Sequence, residues 1–131
     1  MSNDNVRMLP LNAASTWIAV LAALVFLALG LRAVLAPAGA AAFFGLPVAN
    51  GDGLAFVQVF GARNVGLSLV ALALLALDMR LGLAVVFLAA ALISGLDFSI
   101  VATHAGPLKA AKHLVYFVGL AGFGSWFAWV R

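Results

Sequence analysis

Residues 94–113, SGLDFSIVATHAGPLKAAKH, close one apolar segment and open another, and they gather one carboxylate, two histidines and two lysines in a chain that is otherwise mostly hydrocarbon. Ser94, Asp97, Val101 and His104 recur at the spacing of one helix face. Gly106 and Pro107 mark a turn, after which Lys112, His113 and Tyr116 begin the next apolar run. Two helices joined there bring their polar groups to the same end of a bundle. That arrangement predicts an all-α fold and places the chemistry at one pole of it.

The rest of the composition fixes the surroundings. Of 131 residues, 66% are hydrophobic and 8% charged, with a mean hydropathy of +1.21. A soluble domain needs about 25% charged residues to cover its surface. This chain cannot build a water-facing shell, and at ~20 apolar residues per crossing it has room for about four membrane spans. The expected fold is an integral membrane antiparallel four-helix bundle with a short interfacial helix between the first and second spans. The partner this demands is the lipid bilayer. The chain has no cysteine, which excludes disulfides, thiolate metal sites and thiol redox chemistry by its own groups. The net charge of +3 and pI near 10.2 do not point to nucleic acid, because the seven basic residues form no patch.

In order, residues 1–13 read as a polar tail and 14–131 as a single transmembrane domain. Ser15 or Thr16 is placed to cap the first span, 17–36, whose Trp17 suits the interfacial aromatic belt. A cleaved signal peptide is the rival reading, but its apolar core should be only about 7–15 residues, and further spans follow. Residues 37–53, PAGAAAFFGLPVANGDG, are bounded by Pro and Gly; the middle is too short to cross and predicts a helix in the interface, with Phe43 and Phe44 toward the acyl chains. The second span, 54–77, has its polarity at one end, where Gly61, Asn64 and Ser68 share a face suited to close helix contact. Asp78, Met79 and Arg80 form a turn so short that the third span, 81–103, must return beside the second. The fourth, 110–130, ends with Trp126 and Trp129 at the opposite interface.

With four antiparallel spans, Arg32, Gln58, Arg63, Asn64, Asp97, His104, Lys112 and His113 all map to one membrane face. Ionisable groups within spans cost ~2.5–3.5 kcal/mol each at a helix centre, so these must face one another, water or a ligand. Similar depths in their spans predict an Arg63–Asp97 ion pair, which on its own fixes helix register. Arg32, Arg63, Lys109 and Lys112 outnumber Asp52 and Asp97, so the pole is cationic and invites a polar or anionic head group; Arg32 and Lys112 can also snorkel to lipid phosphates. His104, on the Asp97 face, and His113, on a face with Tyr116, are groups that titrate near neutral pH. No compact ligand motif supports a metal among Asp97, His104 and His113, no attachment motif supports haem, and no cofactor is expected. No nucleophile elbow, phosphate loop or zinc-protease motif occurs.

FFGLP, GARN at 61–64 and DFSIVATHAG at 97–106 resemble a family of small bacterial and fungal four-span membrane proteins of unknown function, and more distantly the DoxX-like group. The resemblance covers about residues 15–130 and implies a four-helix bundle in which Arg63, Asn64, Asp97 and His104 are the positions to watch. Some DoxX-like proteins are similar to membrane subunits of quinone-linked oxidoreductases; the lack of cysteine here counts against thiol-linked versions.

The expected function is therefore a one-sided membrane pocket for a small lipophilic molecule with a polar or anionic head. Asp97, His104 and His113 are the candidate acid/base residues, and Arg63, Asn64, Gln58, Arg32, Lys112 and Tyr116 the candidate ligand-binding ones. An isomerase, cyclase or hydratase, or a quinone-binding subunit, fits this set. Two alternatives are a non-catalytic accessory or assembly subunit of a membrane complex, partnered by a second copy or by another membrane protein and favoured by an exposed small-residue face at Gly119, Gly122 and Gly124, and a dimeric proton-coupled carrier. Basic residues near the loops slightly favour both termini on the cytoplasmic side, and the expected location is a bacterial inner membrane.

Overall fold

The computed structural model describes Leu9 and residues 13–129. Five helices follow one another: α1 Ala14–Leu35, α2 Pro37–Phe44, α3 Gly51–Ala76, α4 Arg80–Ala105 and α5 Pro107–Trp129. Three of them, α1, α3 and α4, are long and apolar enough to cross a membrane. The expected tail over residues 1–13 lies outside the described residues except at Leu9 and Ala13, as do Arg7 and Arg131, on which the orientation partly rests. Leu9 itself is buried in the core, and its N–H donates to the Asp78 carboxylate.

Local chemistry sets the helix boundaries. Pro37 begins α2, where a missing N–H costs nothing. Gly45, at φ +110°, ends it: its N–H reaches Ala42 O at 3.2 Å and that of Leu46 reaches Ala41 O at 3.2 Å, closing the last turn. The Asn50 side chain caps α3 by accepting from Gly53 N at 2.6 Å, with Asp52 in the first turn. Asp78, at φ +55°, and Met79 turn the chain into α4. Gly106 alone separates α4 from α5, which opens on Pro107. The capping role expected of Ser15 or Thr16 goes instead to Ala13, which offers no side-chain bond; the helix starts earlier, and Ser15 accepts from Trp126 Nε1 at 3.1 Å.

The helices associate as two antiparallel pairs, α1 with α3 and α4 with α5, and α2 lies against both members of the first. The α1–α3 contact is backbone to backbone. A Cβ placed on Gly61 would lie 2.7 Å from the Gly30 carbonyl oxygen and 2.7 Å from Ala33 Cβ, so only glycine allows this approach. Direct contact between α3 and α4 is slight, which leaves space between the pairs.

The core is made of small residues. Among the described residues eight of the fourteen buried apolar side chains are alanines, while large ones such as Trp17, Leu21, Val85, Leu92 and Val118 point outward. In water that surface would aggregate; in lipid it is the normal arrangement, with small residues letting backbones approach and bulky aliphatics meeting acyl chains. Trp17, Trp126 and Trp129 are all exposed at the pole where α1 begins and α5 ends, as an aromatic belt requires.

Candidate functional site

At the opposite pole a cavity of about 410 Å³ opens between the two helix pairs beneath α2. Its wall is mostly hydrocarbon and aromatic. Six of the nine residues expected at the site contribute to it: Arg32, Asn64, Asp97, Lys112, His113 and Tyr116. Ser68 and Ser94, both buried, complete the polar part of the lining.

These groups lie at graded depths. Arg32 is in the last turn of α1 and Lys112 in the second turn of α5, so both stand at the mouth. Their charges lie over one ring: the Arg32 guanidinium is 5.4 Å and Lys112 Nζ 4.4 Å from the centre of Phe43. Further in come Asp97, His113, Asn64 and Tyr116, and below them Phe26, Ala71, Val86 and Leu120. The Tyr116 ring sits edge-on to Phe26 at 5.4 Å and to His113 at 6.2 Å.

His113 is 3% exposed. Its Nε2 lies 2.8 Å from the carbonyl oxygen of Phe44, and its ring tilts against the Phe44 ring at 4.5 Å. A carbonyl can only accept, so Nε2 carries a proton; in the neutral ring Nδ1 holds the lone pair. Asp97 lines the same cavity as His113. A half-buried carboxylate and a buried imidazole thus share one apolar cavity, a combination able to pass a proton to and from a bound molecule.

Three expected residues lie elsewhere. Arg63 is exposed on the outer side of α3, outside the cavity wall, and among the described residues no ion pair links it to Asp97. The reason is angular: adjacent helix positions differ by about 100°, so facing Asn64 inward turns Arg63 away. His104 is exposed in the last turn of α4, with Nδ1 2.9 Å from Ile100 O of its own helix, about 10 Å along the axis from Asp97. Gln58 is exposed and donates to Val34 O at 3.0 Å, a carbonyl at the end of α1. Among the described residues no three metal-ligating side chains come together.

Phe44 corrects a further expectation. It does not point to the acyl chains but inward, edge-on to Phe60 at 5.5 Å, and Phe43 joins it in the cavity wall. An interfacial helix shows its apolar residues to lipid only if nothing apolar lies beneath it, and here a cavity does. Tracing a polar face along α4 finds Ser94 and Asp97; nothing in residues 37–44 signals that α2 roofs the site.

Fold and site together define a helical membrane protein with a cavity between its two helix pairs. The chain belongs to the family described as a domain of unknown function, DUF4267, whose model matches residues 23–127. This accords with the expected kinship to a family without assigned activity. No curated protein matches the chain, and no solved structure does.

Proposed function

We propose that the protein binds a small lipophilic molecule in this cavity, and that Asp97 with His113 moves a proton on it. The observation that carries this reading is the cavity itself: a carboxylate, an imidazole, a phenol and a carboxamide line a space whose wall is mostly hydrocarbon, with two cations and two hydroxyls besides. Such a space is of the size that small ligands occupy, with few polar groups to orient them. In this reading Asp97 is the acid or base, His113 its proton partner, and Asn64 and Tyr116 hydrogen-bond the ligand. His104 has no part in it. The reactions that suit the set are isomerisation, cyclisation or hydration of a lipophile; quinone binding, in line with a distant DoxX-like kinship, uses the same groups without bond making.

The reading takes α5 as a fourth span. Its 23 residues reach about 34 Å, and its cations lie in its first turns, where they can snorkel to the interface. It places the protein in a bacterial inner membrane with both termini cytoplasmic.

Native mass spectrometry with lipidomics on protein extracted gently from its membrane tests the proposal. A specific lipophile is expected on the wild type and on Arg63→Gln, and is expected to be lost from Ala90→Phe, which fills the cavity. Retention by the filled variant would remove the ligand from the cavity and sink the reading.

A second reading, an accessory subunit or homo-oligomer, is favoured by a groove at the other pole. Gly119 and Gly122 have open space where a Cβ would stand, and with Ser15, Ile18 and Trp126 they line it. Gly124 does not join that face, because it packs against Leu88. Unchanged association state in Gly119→Leu, by light scattering in detergent, would count against this reading.

A further inference from the structure

We propose that the ligand is an anionic amphiphile, a carboxylate or phosphate on a single hydrocarbon tail, whose head is clasped between Arg32 and Lys112. The inference rests on the cavity reading and deepens it. Arg32 and Lys112 arrive from α1 and α5, helices of different pairs, and converge on the ring of Phe43 in α2. Being 5.4 and 4.4 Å from one centroid, the two charges are no further apart than the sum of those distances. Two cations at most that far apart repel one another, and the ring face offsets only part of this. Among the described residues neither makes an ion pair with a carboxylate, and the acidic side chains other than Asp97 lie outside the cavity wall.

An anion held between them satisfies both charges at once. A guanidinium offers a planar fork to a carboxylate or phosphate, and an ammonium adds a point charge from the other side. Below the clasp the wall passes through the Asp97 and His113 layer into hydrocarbon at Phe26, Ala71 and Leu120. From Arg32 to Ala22, the deepest lining residue on α1, is ten residues, about 15 Å along the helix. The head is thus anionic, the reacting segment lies a few bonds from it at the depth of Asp97, and the tail is apolar. Neutral and cationic amphiphiles leave the two charges unbalanced or worsen them.

The same two side chains can meet phosphates of bilayer lipids from outside the cavity, so the experiment separates the two sources. Protein in nanodiscs of phosphatidylcholine is titrated with hexadecanoate, hexadecyl phosphate, hexadecanol and hexadecyltrimethylammonium, and bound copies are counted by native mass spectrometry. The expected result is about tenfold preference for both anions over hexadecanol. That preference is lost in Arg32→Gln with Lys112→Gln, kept in Lys112→Arg, and all binding disappears in Ala90→Phe. Equal binding of hexadecanol and the anions, abolished by Ala90→Phe, overturns the anionic head while leaving the cavity reading intact. Anion preference that survives Ala90→Phe assigns the cations to bilayer phosphate and overturns the proposal. Binding of every probe regardless of Ala90→Phe overturns the cavity reading with it. Thermal unfolding is recorded for each variant, and Ser94→Leu replaces Ala90→Phe should the latter not fold.

Discussion

The imidazole of His113 on α5 donates to the carbonyl oxygen of Phe44, the last residue of α2, across 2.8 Å. Phe44 O is one of the carbonyls that a helix end leaves without an intrahelical partner. The same solution recurs twice. Gln58 of α3 donates to Val34 O near the end of α1, and Arg80 of α4 donates through its guanidinium to Phe127 O near the end of α5, at 2.6 Å. In each case a side chain from another helix satisfies a C-terminal carbonyl, and two of the three donors are basic, matching the negative end of the helix dipole. In lipid, where no water can do this, the need is acute.

His113→Leu leaves the part-buried Phe44 carbonyl without its donor and is expected to cost about 1–3 kcal/mol. His113→Gln, which can still donate, should recover part of that. Thermal unfolding in detergent micelles measures both, and a leucine variant as stable as wild type would show that the bond contributes nothing.

Arg80→Leu removes the donor to Phe127 O from a site only 5% exposed and should also lower stability by about 1–3 kcal/mol. Lys109→Leu, exposed in the first turn of α5, is the comparison and is expected to be near neutral. Equal melting temperatures for the two variants would refute the capping role.

Gly61→Ala drives a methyl group into the Gly30 carbonyl and Ala33, and is expected to separate α1 from α3 at a cost of about 1–3 kcal/mol. Gly66→Ala, on the same helix with open space around it, should instead hold or gain up to about 1 kcal/mol from helix propensity. The opposite order in a denaturation series would contradict the close crossing.

Arg63→Gln is expected to change stability by less than about 0.5 kcal/mol and to leave any bound lipophile in place, because the side chain is exposed and outside the cavity wall. A large loss in unfolding temperature would restore a structural partnership for Arg63 that the geometry denies.

Much of this architecture is legible in the sequence because it depends on periodicity and punctuation. The turn at Asp78, the break at Gly106 and Pro107, and the short helix after Pro37 follow from residues with restricted backbones. The face joining Gly61, Asn64 and Ser68 is equally readable, and it already implies that Arg63 points elsewhere. The depth match that pairs Arg63 with Asp97 ignores that rotation. What the sequence hides is every contact whose other half is a backbone carbonyl, since any residue supplies one: Val34, Phe44 and Phe127 carry no mark of what binds them. For the same reason Gln58 and His113 read as site residues when one caps a helix and the other both caps a helix and lines the cavity. The convergence of Arg32 and Lys112 on Phe43 is hidden too, because α5 is remote in sequence from α1 and α2.

The pairing of helices sets an order of assembly. Residues up to Ala76 contain both partners of the α1–α3 crossing together with α2, so this half has its glycine contact available before α4 has emerged from the ribosome. Residues from Arg80 onward likewise contain both partners of the α4–α5 contact. The cavity belongs to neither half. It comes into being only when the second hairpin docks and His113 reaches Phe44, so a nascent chain interrupted after the Asp78 turn would hold a finished helix pair and no cavity at all.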